Sequence, residues 1–178
     1  RLLQKGSEFN ATDRRDLLSV IRDCLGDLIP RYRKLAESGR VELSMTPYMH
    51  PIVPLLNDFQ NLRCSLPDAP VPQATHYPDG EARSRWHLQK GIDVFQHYFG
   101  IKPQGVWLSE GGISEDAVQL LDELGIRWTA SGEGVWRNSC RLSGYDGDDE
   151  HSKRSLFMPY QQPDSKVRLF FRDDGLSD

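Results

Sequence analysis

Residues 105–114 read Gly105-Val106-Trp107-Leu108-Ser109-Glu110-Gly111-Gly112-Ile113-Ser114. A short apolar run ends in a carboxylate, two glycines follow, and a helix is then expected to open. Ser114 suits an N-cap, Glu115 and Asp116 suit the positive end of a helix dipole, and Val118, Leu121 and Leu124 share one apolar face. Gly125 closes that helix, and Ile126-Arg127-Trp128-Thr129-Ala130 begins a further strand. Strand, tight turn, helix and strand form a βαβ unit, which makes the two strands parallel. Glu110 then stands at the carboxyl end of its strand, where parallel α/β folds carry their chemistry. It is the leading catalytic candidate.

Downstream, Ser131-Gly132-Glu133-Gly134 follows the second strand, so Glu133 falls at the same rim, on a turn that two glycines make mobile. An exposed surface carboxylate is the plain alternative for it. Residues 137–155 are polar, with Asp146, Asp148, Asp149 and Glu150 clustered, and they read as a solvated insertion because the EF-hand ligand spacing is missing. The last apolar run, Val167-Arg168-Leu169-Phe170-Phe171, is followed by Arg172-Asp173-Asp174-Gly175. Three strands thus direct Glu110, Glu133 and the Arg172–Asp173 pair toward one rim, although that pair could equally be a mutual salt bridge.

Upstream, the apolar positions Leu17, Leu18, Ile21, Cys24, Leu25, Leu28, Tyr32 and Leu35 follow a helical stripe from Thr12, the stripe of a helix that packs on a core. Pro30 is expected to kink this helix or to start a second one, and Gly39 to end it. Val41-Glu42-Leu43-Ser44-Met45-Thr46 alternates in polarity and reads as a strand, with Glu42 facing away from Val41, Leu43 and Met45. Glu42 is then a partnered acid or an edge-strand surface residue. Pro47, Pro51 and Pro54 stiffen the loop that follows, where Tyr48 and His50 offer a flat ring and a hydrogen-bonding imidazole. Residues 57–78 form a long loop-rich connection of the kind used for lids and substrate loops. Helix returns from about Asp79 to Phe99, with Ala82, Trp86, Ile92, Phe95 and Phe99 on one side, and His87 and His97 read as ordinary helix residues.

The 178 residues, 38% of them hydrophobic, fit one globular domain over 1–178. A net charge of -4 with scattered basic residues suggests neither a nucleic acid nor an anionic membrane as partner, and no apolar run reaches the ~20 residues of a spanning helix. Cys24, Cys64 and Cys140 are odd in number and far apart, which points to buried free thiols in a reducing cytoplasm. The sequence carries no GxSxG elbow, no P-loop and no GxGxxG fingerprint, which removes most hydrolase, kinase and dehydrogenase readings, and no cofactor is expected. Carboxylates and aromatics gathered at one rim suit sugars: rings cover apolar sugar faces, and carboxylates bind hydroxyls or perform acid, base and nucleophilic steps. Hydrolysis of a glycosidic bond normally needs two such carboxylates, and spacing alone does not say which pair acts.

Three stretches resemble one family. Gly39-Arg40-Val41-Glu42-Leu43-Ser44-Met45-Thr46-Pro47-Tyr48-Met49-His50-Pro51-Ile52 is similar to a signature region of glycoside hydrolase family 57. Trp107-Leu108-Ser109-Glu110 resembles that family's W-L-x-E region, and Phe171-Arg172-Asp173-Asp174-Gly175-Leu176-Ser177-Asp178 its F-R-D-x-x-L-S-D segment, in the family's order. The resemblance implies an α/β fold, a parallel, distorted (β/α)7-type barrel that is incomplete in this chain, and a retaining mechanism on α-glucans. It implies Glu110 as the nucleophile that forms a glycosyl-enzyme intermediate, Trp107 as an aromatic at the sugar subsite and Glu42 as a substrate-binding acid. His50 is expected to face the cleft, and Arg172 and Asp173 to lie near the site; Glu133 joins the expected substrate-binding residues through its place after the second strand. The family's opening H-Q-P region is absent and its acid/base aspartate belongs to a later region. That role is therefore expected beyond Asp178, and residues 1–178 alone are expected to be inactive.

Two other readings compete with an α-glucan hydrolase or transglycosylase. A metal-dependent deacetylase or α-mannosidase on a similar barrel needs clustered His and Asp ligands, whereas His50, His76, His87, His97 and His151 form no HxH or HxxxH pattern. No metal site is assigned. A non-catalytic carbohydrate-binding relative would keep the aromatics and tolerate loss of Glu110. Oligomeric state is not legible.

Overall fold

The structure is a computed structural model, and it describes residues 2–145 and 154–177. The chain forms two compact units, one of Arg1–Glu42 with Tyr98–Gly100 and one of Leu43–His97 with Ile101–Asp178.

The first unit is dominated by a helix. After the short α1 (Leu2–Lys5), α2 runs over Ala11–Glu37. Asn10 caps it by accepting from the backbone N–H of Thr12 and Asp13, while the Asp13 carboxylate accepts from the Asn10 N–H, a reciprocal capping box. Pro30 lies inside α2 without starting a second helix, since the loss of one donor toward Gly26 leaves the other turns intact. Gly39 follows the helix in the left-handed conformation (φ 69°) that lets the chain leave it. The expectation of a core-packed stripe fails: Leu17, Leu18, Ile21, Leu25, Leu28, Tyr32 and Leu35 are all exposed, and Asp13 is the buried residue of the helix among those described. Helical periodicity identifies an apolar face, but it does not supply the surface that covers it.

The second unit holds a parallel sheet in the order β1 (Gly105–Trp107), β2 (Trp128–Gly132), β3 (Arg168–Arg172). Trp107 pairs with Ala130 and Ala130 with Phe170, so the carboxyl ends of all three strands fall together. The connection between β1 and β2 is α6 (Glu115–Glu123), whose Ala117, Val118, Leu120 and Leu121 are buried, as are Val106 and Leu108. Ser114 occupies the cap position as expected, but its hydroxyl donates to the Asp116 carboxylate rather than accepting a helix N–H. Gly105 is required by proximity, because a Cβ there would lie 2.0 Å from the indole of Trp128, which lies across it.

Three boundaries differ from the sequence reading. The strand expected over 41–46 is reduced to a single parallel bridge, Met45 to Val106, in which Met45 donates to the Gly105 carbonyl and accepts from Trp107. Alternating polarity there describes one pairing residue and an extended approach, not a ladder. The second strand ends later than expected, taking in Ser131 and Gly132, and Glu133 opens α7 (Glu133–Leu142) rather than sitting on a turn. The loop-rich stretch after 57 contains a 3-10 turn at Phe59–Asn61 and the short α4 (Leu62–Ser65).

The helix α5 (Gly80–Phe99) forms as read, but its buried face is Ser84, Leu88, Gly91, Ile92 and Phe95. Trp86, expected in that face, is exposed. Asn57, at the end of α3 (Val53–Asn57), fastens two helices: it accepts from Ser84 of α5 at 2.6 Å and donates to Asp116 of α6 at 2.7 Å. All three cysteines are free as expected, but Cys24 and Cys64 are exposed rather than buried, and Cys140 is half-buried. The acidic cluster Asp146, Asp148, Asp149 and Glu150 lies outside the described residues.

Candidate active site

Glu110 follows β1 within a 3-10 turn, Ser109–Gly111, and adopts the left-handed conformation (φ 57°, ψ 18°). For a residue with a Cβ that conformation costs on the order of 1–2 kcal/mol. The turn is held from below. Gly111, also left-handed at φ 66°, leaves room for the Trp107 ring, 3.3 Å from where its Cβ would stand. The buried Ser131 hydroxyl of β2 donates to the Gly111 carbonyl at 2.6 Å. Ser109, the first residue of the turn, is fully buried, and its hydroxyl has no hydrogen-bond partner among the described residues. The result is a carboxylate lifted off the sheet rim, its side chain 72% exposed.

His50 reaches the same carboxylate from the proline-stiffened loop. Its Nδ1 stands 3.9 Å from Glu110 Oε1, too long for a hydrogen bond but close enough for a charge pair when the imidazole is protonated. His50 and its neighbour Met49 are both left-handed, at φ 57° and 63°. Among the described residues the non-glycine left-handed positions are Glu8, Met49, His50, Asp79 and Glu110, so four of these five belong to the second unit and two of them meet at this carboxylate. Backbone strain of this kind gathers where a side chain must be presented.

Glu133 is held rather than mobile. It accepts from Arg137 Nε at 2.8 Å, one turn along α7, and from the backbone N–H of Asp174 at 3.1 Å. The Asp174 N–H and then the Arg137 guanidinium hold its carboxyl below the usual glutamate range, outweighing burial, which acts the other way. The spacing Glu133–Arg137 was readable as an i,i+4 pair, whereas the Asp174 N–H comes from a distant segment. Arg172 ends β3 with its guanidinium 5.7 Å from the centre of the Trp107 ring, and 3.6 Å from the Asp174 carboxylate. Asp173 turns back on the chain, accepting from the Leu176 N–H at 2.8 Å. The expected Arg172–Asp173 neighbour pair is therefore an Arg172–Asp174 pair, with Asp173 capping the last helical turn.

Glu110, His50, Trp107, Arg172 and Glu133 thus all belong to the rim of the second unit, whereas the exposed Glu42 belongs to the first unit. The rim offers a free carboxylate, an imidazole beside it, an indole and a guanidinium, a set suited to covalent or acid–base work on a neutral, hydroxyl-rich substrate. Among the described residues no group of three His, Cys, Asp or Glu side chains is arranged to hold a metal ion, and no helix is long and apolar enough to cross a membrane.

The sequence model of glycosyl hydrolase family 57 matches residues 8–178. No curated protein matches the chain. Among solved structures, the chain is similar to a family 57-type branching enzyme from the archaeon Pyrococcus horikoshii, with TM-score 0.57 and 21% identity over 90% of this chain and 27% of that one. It is similar to the α-amylase AmyC of Thermotoga maritima, with TM-score 0.58 and 18% identity over 92% of this chain and 26% of that one. A 4-α-glucanotransferase from Thermococcus litoralis gives TM-score 0.56 and 18% identity over 90% of this chain and 20% of that one. The chain therefore spans roughly a quarter of the length of the first two of these enzymes, and at such identities the likeness carries the α/β fold with its parallel sheet. A match over nearly the whole sequence, on a fold shared with the family's solved members, places the chain in glycosyl hydrolase family 57.

Proposed function

We propose that this chain carries the nucleophile of a retaining glycoside hydrolase or transglycosylase acting on α-glucans. The observation that carries the reading is the presentation of Glu110: an exposed carboxylate, on a strained turn, at the carboxyl end of a parallel strand and 3.9 Å from His50. Family membership and the named activities of the similar structures support the substrate class.

In this reading a Glu110 oxygen attacks the anomeric carbon while the glycosidic oxygen leaves with a proton from a second carboxyl group. Water or a glucan hydroxyl then releases the glycosyl ester. Trp107 covers an apolar sugar face, with Arg172 keeping the ring in place. His50 binds sugar hydroxyls. Glu133, already occupied by two donors, orders the rim together with Asp173. The proton donor is not assigned to any residue of this chain.

The test uses the full-length protein with maltoheptaose, as wild type and as Glu110→Ala, with circular dichroism to show that both fold. Turnover is expected to fall by about 10³-fold or more in the variant. An activated 2-deoxy-2-fluoro glucoside is expected to leave a covalent adduct on the peptide containing Glu110. An unchanged rate in the variant, or an adduct on another residue, refutes the assignment.

A further inference from the structure

A cleft of about 680 Å³ lies in the same unit as the carboxylate site, walled by Tyr48, Met49, Asp79, Arg83, Trp86 and His87. Its walls are locked by the main chain. The Tyr48 N–H donates to the His87 carbonyl at 3.1 Å, and His87 Nδ1, carrying its proton, donates back to the Tyr48 carbonyl at 2.7 Å. This reciprocal pair fixes the loop to α5 and sets the Tyr48 and Trp86 rings edge to face, with centroids 5.9 Å apart. Trp86 remains 54% exposed, so an indole on a well-packed helix is left without cover. One turn earlier on the same helix, the Arg83 guanidinium lies over the Tyr77 ring at 5.4 Å, and Arg83 Nε donates to the Pro78 carbonyl at 3.0 Å.

Two of the left-handed non-glycine residues, Met49 (φ 63°) and Asp79 (φ 54°), line this cleft. Each therefore holds backbone strain, of the kind that gathers at functional sites. The lining holds one carboxylate, Asp79, and one guanidinium, Arg83, and the His87 Nδ1–H is engaged by the Tyr48 carbonyl. Such a cleft suits a neutral ligand with an apolar face and many hydroxyls better than an ion. It is also tied to the first site along the chain, since Met49 lines the cleft and the next residue, His50, stands beside Glu110.

We propose that this cleft is an accessory subsite for a glucosyl unit of a longer α-glucan, with Trp86 stacking on the sugar face and Asp79 and Arg83 binding its hydroxyls. The substrate class rests on the function proposed above. Turnover of maltotriose and maltoheptaose by the full-length protein is compared for wild type, Trp86→Ala and Trp86→Phe. Binding of maltoheptaose is followed by calorimetry in Glu110→Gln, with and without Trp86→Ala.

The ratio of kcat/KM for maltoheptaose over maltotriose is expected to fall about fivefold to tenfold in Trp86→Ala, through KM, and to recover in Trp86→Phe. Binding to Glu110→Gln is expected to weaken by the same factor when Trp86 is removed. An unchanged ratio in a folded Trp86→Ala, with the wild type active, overturns the subsite and leaves the function standing. Binding that depends on Trp86 in a protein that turns over no α-glucan supports the subsite and overturns the function. A wild type that neither binds nor converts either glucan overturns both.

Discussion

The hydroxyl of Ser131 donates to the carbonyl of Gly111 at 2.6 Å, joining the buried middle of the parallel sheet to the turn that presents Glu110. Both residues are buried, so water does not replace the bond once it is lost. Ser131→Ala is expected to destabilise the protein by about 1–3 kcal/mol in chemical denaturation. Because the bond holds the turn rather than the substrate, kcat is expected to fall more than KM rises. A variant with wild-type stability and kcat would show that the Glu110 turn is held by other contacts.

Glu133 makes stability depend on pH in a defined direction. Its folded pKa is depressed, chiefly by the Asp174 N–H and then by Arg137. The unfolded chain therefore binds this proton at a higher pH than the folded one. The contribution is fully present above the ordinary glutamate value of about 4.3 and is lost as pH falls from there through the lowered folded value. Glu133→Gln removes it. Unfolding free energies of wild type and variant are expected to differ at pH 7 and to converge on acidification below about pH 4. A gap that stays constant with pH would assign Glu133 a purely steric role.

The parts of this rim that were legible in the sequence are those set by neighbours along the chain. The αβ unit from Gly105 to Ala130 is visible because strand, glycine turn, acidic first turn and closing Gly125 are all local signals. The ladder over 41–46 is over-read because alternation is equally satisfied by one bridging residue, Met45, on an extended approach. Glu133 reads as mobile between glycines because the N–H that holds it belongs to Asp174, forty-one residues later. The cleft beside Trp86 is invisible for the same reason: a helical wheel puts Trp86 with the apolar face, and the Tyr48–His87 exchange that joins the two sides of the cleft spans thirty-nine residues. Composition and period report which faces exist, and only long-range pairing decides which of them are covered.

Gly105 offers a test of the sheet that does not touch the rim. A methyl group there would meet the Trp128 indole at 2.0 Å, a separation no pair of carbons tolerates. Trp128 in turn packs edge-on against Phe170 of β3, with centroids 6.4 Å apart, so displacement is passed across the sheet. Gly105→Ala is expected to cost about 1–3 kcal/mol by overpacking, read as a lower denaturation midpoint at unchanged slope. Stability equal to wild type would mean that Trp128 moves aside freely and that β1 and β2 are not packed as described.

The same logic reversed applies to Glu110. Its left-handed backbone costs about 1–2 kcal/mol with any Cβ present, and a glycine relieves that while adding about 0.5–1 kcal/mol of unfolded-chain entropy. Glu110→Ala keeps the strain and Glu110→Gly removes it. The glycine variant is therefore expected to be more stable than the alanine variant by up to about 1 kcal/mol, with turnover abolished in both. Paired denaturation curves of these two variants isolate the strain from the loss of the carboxylate. If alanine proves equal to or better than glycine, the turn adopts an ordinary backbone in solution, and the case for a carboxylate held in place at the expense of stability falls with it.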